Sequence, residues 1–132
     1  MASGNIGIII LRLFFGLAFV VAGLDKILSF SSAKGMFISL FGALGVFMLV
    51  VAIIIELIGG LALLANVRAK WASGALAVFM VAALVSTFKV GDAPNVIAWV
   101  RELLVMNTGG SNVPVTLSYL AGLLAIFFSV KK

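Results

Sequence analysis

The sequence predicts an all-α integral membrane protein: a four-helix bundle with a short interfacial or re-entrant segment before helix 2 and an amphipathic surface helix between helices 3 and 4. Of its 132 residues, 64% are hydrophobic and only 10% are charged. The mean hydropathy is +1.36. The apolar runs are continuous rather than alternating, which indicates helical spans and not barrel strands. Since each span needs roughly 20 apolar residues, the length accommodates one domain, residues 1–132, with four spans.

The first span is predicted over about residues 6–28. The chain begins "MASGNIGIIILRLFFGLAFVVAGLDKIL". It lacks the positively charged start of a signal peptide, and its apolar run is too long and contains Arg12. We therefore expect a retained span that ends with Asp25 and Lys26 at the membrane surface.

The second span is predicted over about residues 43–65. Between Gly35 and Val67 the only charged residue is Glu56. As one helix this run would be roughly 50 Å long, which exceeds a hydrocarbon core of about 30 Å. We therefore expect a break near residues 42–45, with residues 36–41 as a short interfacial or re-entrant piece. A strongly tilted single helix is the alternative.

The second half of the chain predicts two more spans separated by a polar stretch. The third span covers about residues 71–88 and the fourth about residues 114–130. In "GDAPNVIAWVRELLVMNTGGSNVP", Asp92 is expected to cap an amphipathic helix that lies on the membrane surface. Trp71 and Trp99 are the predicted interface anchors.

Composition limits the chemistry that this chain can perform. It has no cysteine and no histidine, so disulfides, iron–sulfur ligation, the usual haem ligand and common zinc or copper sites are excluded; we expect no covalently or metal-bound cofactor. The net charge is +5, but the basic residues stand at the ends of apolar runs, which indicates headgroup anchoring rather than nucleic-acid binding. We expect a multi-pass protein of the plasma membrane, and the terminal Lys131–Lys132 pair and the Arg68/Lys70 turn favour both termini in the cytoplasm.

Two charges fall inside predicted spans. With antiparallel spans, Arg12 would lie roughly 9 Å and Glu56 roughly 14 Å inside the same membrane edge. Charges within a bilayer normally pair or face a wet cavity. We therefore predict an intramembrane Arg12–Glu56 ion pair, which either locks the two spans together or lines a pocket. The alternative for Arg12 is that it extends to the headgroups.

Small residues and terminal charges complete the candidate set. Glycines in the first two spans predict close helix packing: Gly16, Gly23, Gly59 and Gly60. Polar residues at the predicted outer mouth of the bundle are either solvated helix ends or part of a site: Asp25, Lys26, Lys89 and Asp92.

The order of these features resembles the DoxX family of small membrane proteins. The segments on which this resemblance rests are "LRLFFGLAFVVAGLDK", "ELIGGLALL" and "RAKWASGALAVFMVAALV". The resemblance implies four membrane helices and, in some relatives, a link to thiosulfate:quinone oxidoreductase. By position it points to this set: Arg12, Gly16, Gly23, Lys26, Glu56, Gly59 and Gly60. The chain departs from the family at Ala22 and at Phe88–Lys89, where many relatives have histidine, and this weakens an inference of redox or proton-transfer chemistry.

The leading functional hypothesis is a DoxX-like membrane subunit, non-catalytic on its own, that serves a quinone-linked redox complex. It would sit in the lipid bilayer, contact other membrane or redox subunits, and bind a quinone or a lipid, with Arg12, Glu56 and Trp71 shaping a quinone pocket. One alternative is a purely structural accessory subunit of a larger assembly. Another is a small oligomeric transporter with Glu56 in its pathway, although four spans alone make a poor conduit.

Overall fold

A computed structural model describes residues 6–130, and within this range all regular structure is helical. The predicted helices are present, with ends that shift by a few residues at most except before the second span. The helices are α1 (Ile6–Leu28), α2 (Phe30–Phe41), α3 (Gly45–Ala65), α4 (Ala69–Thr87), α5 (Val96–Leu104) and α6 (Val113–Ser129), with a short 3-10 turn at Gly42–Leu44.

Three helical segments in the described range are long and apolar enough to cross a membrane: Ile6–Leu28, Phe30–Ala65 and Ala69–Thr87. The fourth predicted span is the apolar helix α6, whose 17 residues make it shorter than the other three. A length of 17 residues is at the lower end of what spans a bilayer.

The apolar segment before and after Gly42 folds into a helical hairpin. Gly42 has φ +62°, a left-handed conformation that glycine adopts without strain. A Cβ atom on Gly45 would lie 2.6 Å from the Cα atom of Ile38, so α2 turns back tightly against the start of α3. The predicted break near residues 42–45 is confirmed, and the single tilted helix is wrong. The segment before it is longer than the predicted residues 36–41.

Helices α1 and α2 together run antiparallel along the whole of α3. At their junction the amide of Ser29 donates to the carbonyl of Asp25, and the amide of Ala33 donates to the carbonyl of Ser29, so the helical hydrogen-bonding pattern almost continues. Consequently α1 packs on the C-terminal half of α3, and α2 packs on its N-terminal half. Lys26, which the sequence analysis expects at the membrane surface, lies two residues before the end of α1.

The main core lies where α1, α3, α4 and α6 meet. Each of these helices contacts the next, and α6 contacts α1. Buried side chains from all four helices form this core: Phe15, Phe19, Leu63, Ala69, Leu76, Ala77, Met80, Leu123 and Ile126. A smaller cluster joins α2 to α3, and Phe79 of α4 packs against both clusters.

The polar stretch between α4 and α6 contains α5, which packs against α6. Its N-cap is Asn95, whose side-chain oxygen accepts a hydrogen bond from the amide of Ala98 at 2.8 Å. The prediction that Asp92 caps this helix is therefore wrong, because the helix begins one turn later, after Pro94.

Candidate functional site

The central feature is an ion pair between Lys26 of α1 and Glu56 of α3. The Lys26 Nζ atom lies 3.0 Å from Oε1 and 3.1 Å from Oε2 of Glu56, so one ammonium group bridges both carboxylate oxygens. The carboxylate side chain is only 4% exposed, whereas the lysine side chain keeps 20%. Glu56 is near the middle of the 21 residues of α3, so the pair lies at the centre of an apolar helix.

The predicted Arg12–Glu56 ion pair is wrong, and the register of α1 on α3 explains why. A Cβ on Gly23 would lie 3.5 Å from the Cβ of Glu56, so these two positions are level with each other. Arg12 is three turns, or roughly 16 Å, away from Gly23 along α1. The prediction aligned the ends of the two helices, but α1 is displaced so that its first turns extend past the end of α3.

Arg12 instead binds the C-terminal end of α3. Its Nη1 donates to the carbonyl oxygen of Leu63 at 2.6 Å and to that of Leu64 at 3.3 Å. The last carbonyls of a helix have no partner within the helix and carry partial negative charge, so a cation is favourable there. Lys70 makes an equivalent contact with α6, because its Nζ donates to the carbonyl of Phe127 at 2.9 Å. The role of Arg12 is therefore structural, because it links α1 to the C-terminal end of α3.

Glycines bring α1 and α3 into backbone contact beside the ion pair. A Cβ on Gly16 would lie 2.9 Å from the carbonyl oxygen of Gly60, and a Cβ on Gly60 would lie 2.8 Å from that of Gly16. Gly23 faces the side chain of Leu57, and Gly59 faces Leu76 on α4. In membranes such small residues allow helices to approach closely. Here they also fix the register that places Lys26 beside Glu56.

The structure does not bring the four predicted outer-mouth residues together. Lys26 turns inward to Glu56, while Asp25 is exposed on α1. Lys89 and Asp92 lie in the chain between α4 and α5, and each contributes its backbone carbonyl to a side chain of the α5 region: Asn107 for Lys89 and Arg101 for Asp92.

Glu102 of α5 is a buried carboxylate that the sequence does not single out as a site residue. It is completely buried and accepts hydrogen bonds from the amide of Gly91 at 2.6 Å and from the hydroxyl of Thr108 at 2.6 Å. The amide of Thr108 and the guanidinium of Arg101 also donate to it.

These donors lower the pKa of Glu102 to about 2, chiefly through the Thr108 hydroxyl, against the opposing effect of desolvation. The carboxylate therefore ties the segment after α4 to the loop before α6. A Cβ on Gly91 would collide with the Thr108 hydroxyl, so this close approach requires glycine. The sequence signal for the burial of Glu102 was the run of turn residues "NTGGSN", which supplies backbone amides.

The two predicted anchors are both accessible. Trp71, in the first turn of α4, is 62% exposed, and Trp99 lies on α5 with 47% exposure. Trp71 and Glu56 do not share a site, because Trp71 lies at the α3–α4 turn beside Arg68. The predicted grouping of Arg12, Glu56 and Trp71 around one pocket is therefore wrong. Within residues 6–130, no three aspartate or glutamate side chains come together as a metal site would require.

Apolar helices of membrane-spanning length and an ion pair at mid-helix define an all-helical membrane protein. A sequence model of the DoxX family matches residues 7–89. The chain belongs to the DoxX family. The matched region contains α1 without its first residue and all of α2 to α4, and therefore both residues of the ion pair. Comparisons with curated proteins and with solved structures find no match.

Proposed function

We propose that this protein is a membrane subunit of a quinone-linked redox complex, non-catalytic on its own, in which partner subunits carry the electrons. Its membership in the DoxX family and its apolar helices support a role within the bilayer. Because the sequence has neither cysteine nor histidine, a redox centre with the usual protein ligands would belong to a partner.

The single observation that carries this proposal is the Lys26–Glu56 pair at mid-helix. An ionisable pair is costly inside a membrane, and such residues commonly mark a ligand or proton pathway. Glu56 is enclosed, but Lys26 remains partly accessible. The accessible side of the lysine is where a ligand that diffuses within the bilayer would meet it.

The chemistry of the pair fits a quinone. A lysine ammonium has three N–H donors, and Glu56 accepts two of them. The third donor is suited to a carbonyl oxygen of a quinone ring, and the bound ring would supply the electron and proton carrying capacity that the chain lacks. Glu56 would hold the ammonium in place and balance its charge, and the surrounding apolar helices would exclude water.

The test is quinone retention by the full-length protein, purified from its membranes in mild detergent. The unsubstituted protein and Lys34→Met should retain quinone and a redox subunit, because Lys34 is exposed on α2 and lies outside the pair. The double variant Lys26→Met/Glu56→Leu, which removes the donor without leaving an unpaired buried carboxylate, should lower the quinone content at least about fivefold, which corresponds to loss of one hydrogen bond of about 1 kcal/mol. A protein that purifies alone, without quinone, contradicts the proposal.

The alternative is a purely structural accessory subunit. The close contact of Gly16 with Gly60 favours it, because the Lys26–Glu56 ion pair would then serve only to hold α1 against α3. This alternative predicts that Glu56→Gln lowers the yield of the assembled complex but leaves its turnover per complex unchanged. A fall in turnover per assembled complex would exclude the alternative.

A further inference from the structure

An apolar groove runs along the exposed side of α3 and α4. It has a volume of about 450 Å³ and is lined along its length by aliphatic side chains and small residues. Among the lining residues are Ile54, Ile58, Ala62 and Ala75. This volume lies within the range of roughly 300–1,000 Å³ that is usual for small-molecule sites. Neither Lys26 nor Glu56 lines the groove, so it is separate from the ion pair.

A more polar cleft of about 560 Å³ adjoins the groove at the α3–α4 turn. This cleft is lined by Asn66, Arg68, Trp71 and Val130, and it shares Arg68 and Trp71 with the groove. Asn66 and Arg68 both have positive φ, at 57° and 50°. The turn thereby ends α3 and starts α4 within three residues, and it leaves the Arg68 side chain exposed at the mouth.

Among residues 6–130, the charged side chains at this end of the molecule are all basic. Arg12 and Lys70 lie here, and both are already bound to helix carbonyls. Arg68 makes no hydrogen bond or ion pair within residues 6–130, so its guanidinium is available. The four acidic residues of the sequence lie elsewhere: Asp25, Glu56, Asp92 and Glu102.

We propose that the groove and cleft together bind one anionic phospholipid. The phosphate would pair with Arg68, an acyl chain would lie in the groove, and the Trp71 ring would mark the boundary between them. Arginine pairs with phosphate through several N–H donors, and basic pockets between membrane helices favour anionic headgroups. A neutral ligand would fit the apolar groove but would leave Arg68 without a counter-ion.

The test uses the full-length protein, delipidated in neutral detergent and reconstituted in nanodiscs that contain phosphatidylcholine with or without phosphatidylglycerol. Co-purified phospholipid is then quantified after transfer to detergent. The protein should retain phosphatidylglycerol in preference to phosphatidylcholine. Arg68→Gln should weaken this preference about fivefold, the loss expected for one basic contact with an anionic lipid surface. Lys89→Gln, at the opposite end of α4, is the matched control and should retain the preference.

A second variant tests the groove without changing charge. Ala75→Phe places an aromatic ring in the apolar groove and should reduce retention of both lipids while the helix content stays constant. Equal retention of the two lipids by the unsubstituted protein would overturn the proposal, as would an unaltered preference in Arg68→Gln. A change of oligomeric state in Ala75→Phe, without loss of lipid, would show that a second copy covers the groove and would also overturn it.

Discussion

Removing one partner of the Lys26–Glu56 pair should destabilise the protein far more than removing both. In Lys26→Met the carboxylate of Glu56, with its side chain 4% exposed, is left without its ammonium partner among apolar helices. Loss of one partner from a buried pair costs about 3–5 kcal/mol. Glu56→Leu should cost less, because the partly exposed lysine can extend away from the helix interface. The double variant Lys26→Met/Glu56→Leu should recover most of the loss.

The assay is a double-mutant cycle by equilibrium unfolding in mixed micelles, followed by circular dichroism. We expect a coupling energy of at least about 2 kcal/mol between Lys26 and Glu56. Arg12→Gln is the control, since Arg12 binds the end of α3 and should be additive with Glu56→Leu within about 0.5 kcal/mol. Additive effects of the Lys26 and Glu56 substitutions would refute the assignment, and so would an Arg12–Glu56 coupling of similar size.

Two further predictions concern the packing of α1 on α3 and the buried carboxylate of α5. Gly60→Ala should destabilise the protein by about 1–3 kcal/mol, because the new methyl group would lie 2.8 Å from the Gly16 carbonyl oxygen. The control Gly35→Ala, with no atom within 4 Å of the new methyl group, should be neutral or stabilising in the same unfolding assay. Equal losses of stability in the two variants would contradict the contact. The pKa of Glu102 is lowered from 4.5 to about 2, so its stabilising effect is complete above pH 4.5 and is lost as the pH falls towards 2. The free energy of unfolding, measured as a function of pH, should show this loss in the unsubstituted protein and not in Glu102→Gln. Identical pH profiles of the two proteins would argue against the buried hydrogen-bond network.

The helices could be predicted because their signals are local. Unbroken apolar runs and the charges that interrupt them set the extent of each helix, so α1 was predicted at the residues where it is observed. The break at Gly42 followed from a length argument, since one helix of that size would exceed a bilayer. The start of α5 was predicted one turn too early because two neighbouring residues, Asp92 and Asn95, are both good N-caps.

The site could be predicted only in part. That Glu56 needs a cation followed from its apolar surroundings, and the cation had to lie on a neighbouring helix. Which cation it is depends on how far α1 slides along α3, and that displacement is set by the contact between Gly16 and Gly60. Glu102 was missed because a carboxylate on an amphipathic helix is usually solvated, whereas here the loops on either side of α5 enclose it.

The sequence by itself determined that this is a helical membrane protein, which segments form its apolar helices, and that one carboxylate in the second span requires a partner. Hydrophobicity and chain length are properties of each segment, so they can be read without knowledge of the rest of the fold. Only the tertiary structure decided that Lys26 is the partner, that Arg12 binds a helix end and that Glu102 is buried. These outcomes depend on contacts between segments, because the position of α1 along α3 decides which cation meets Glu56.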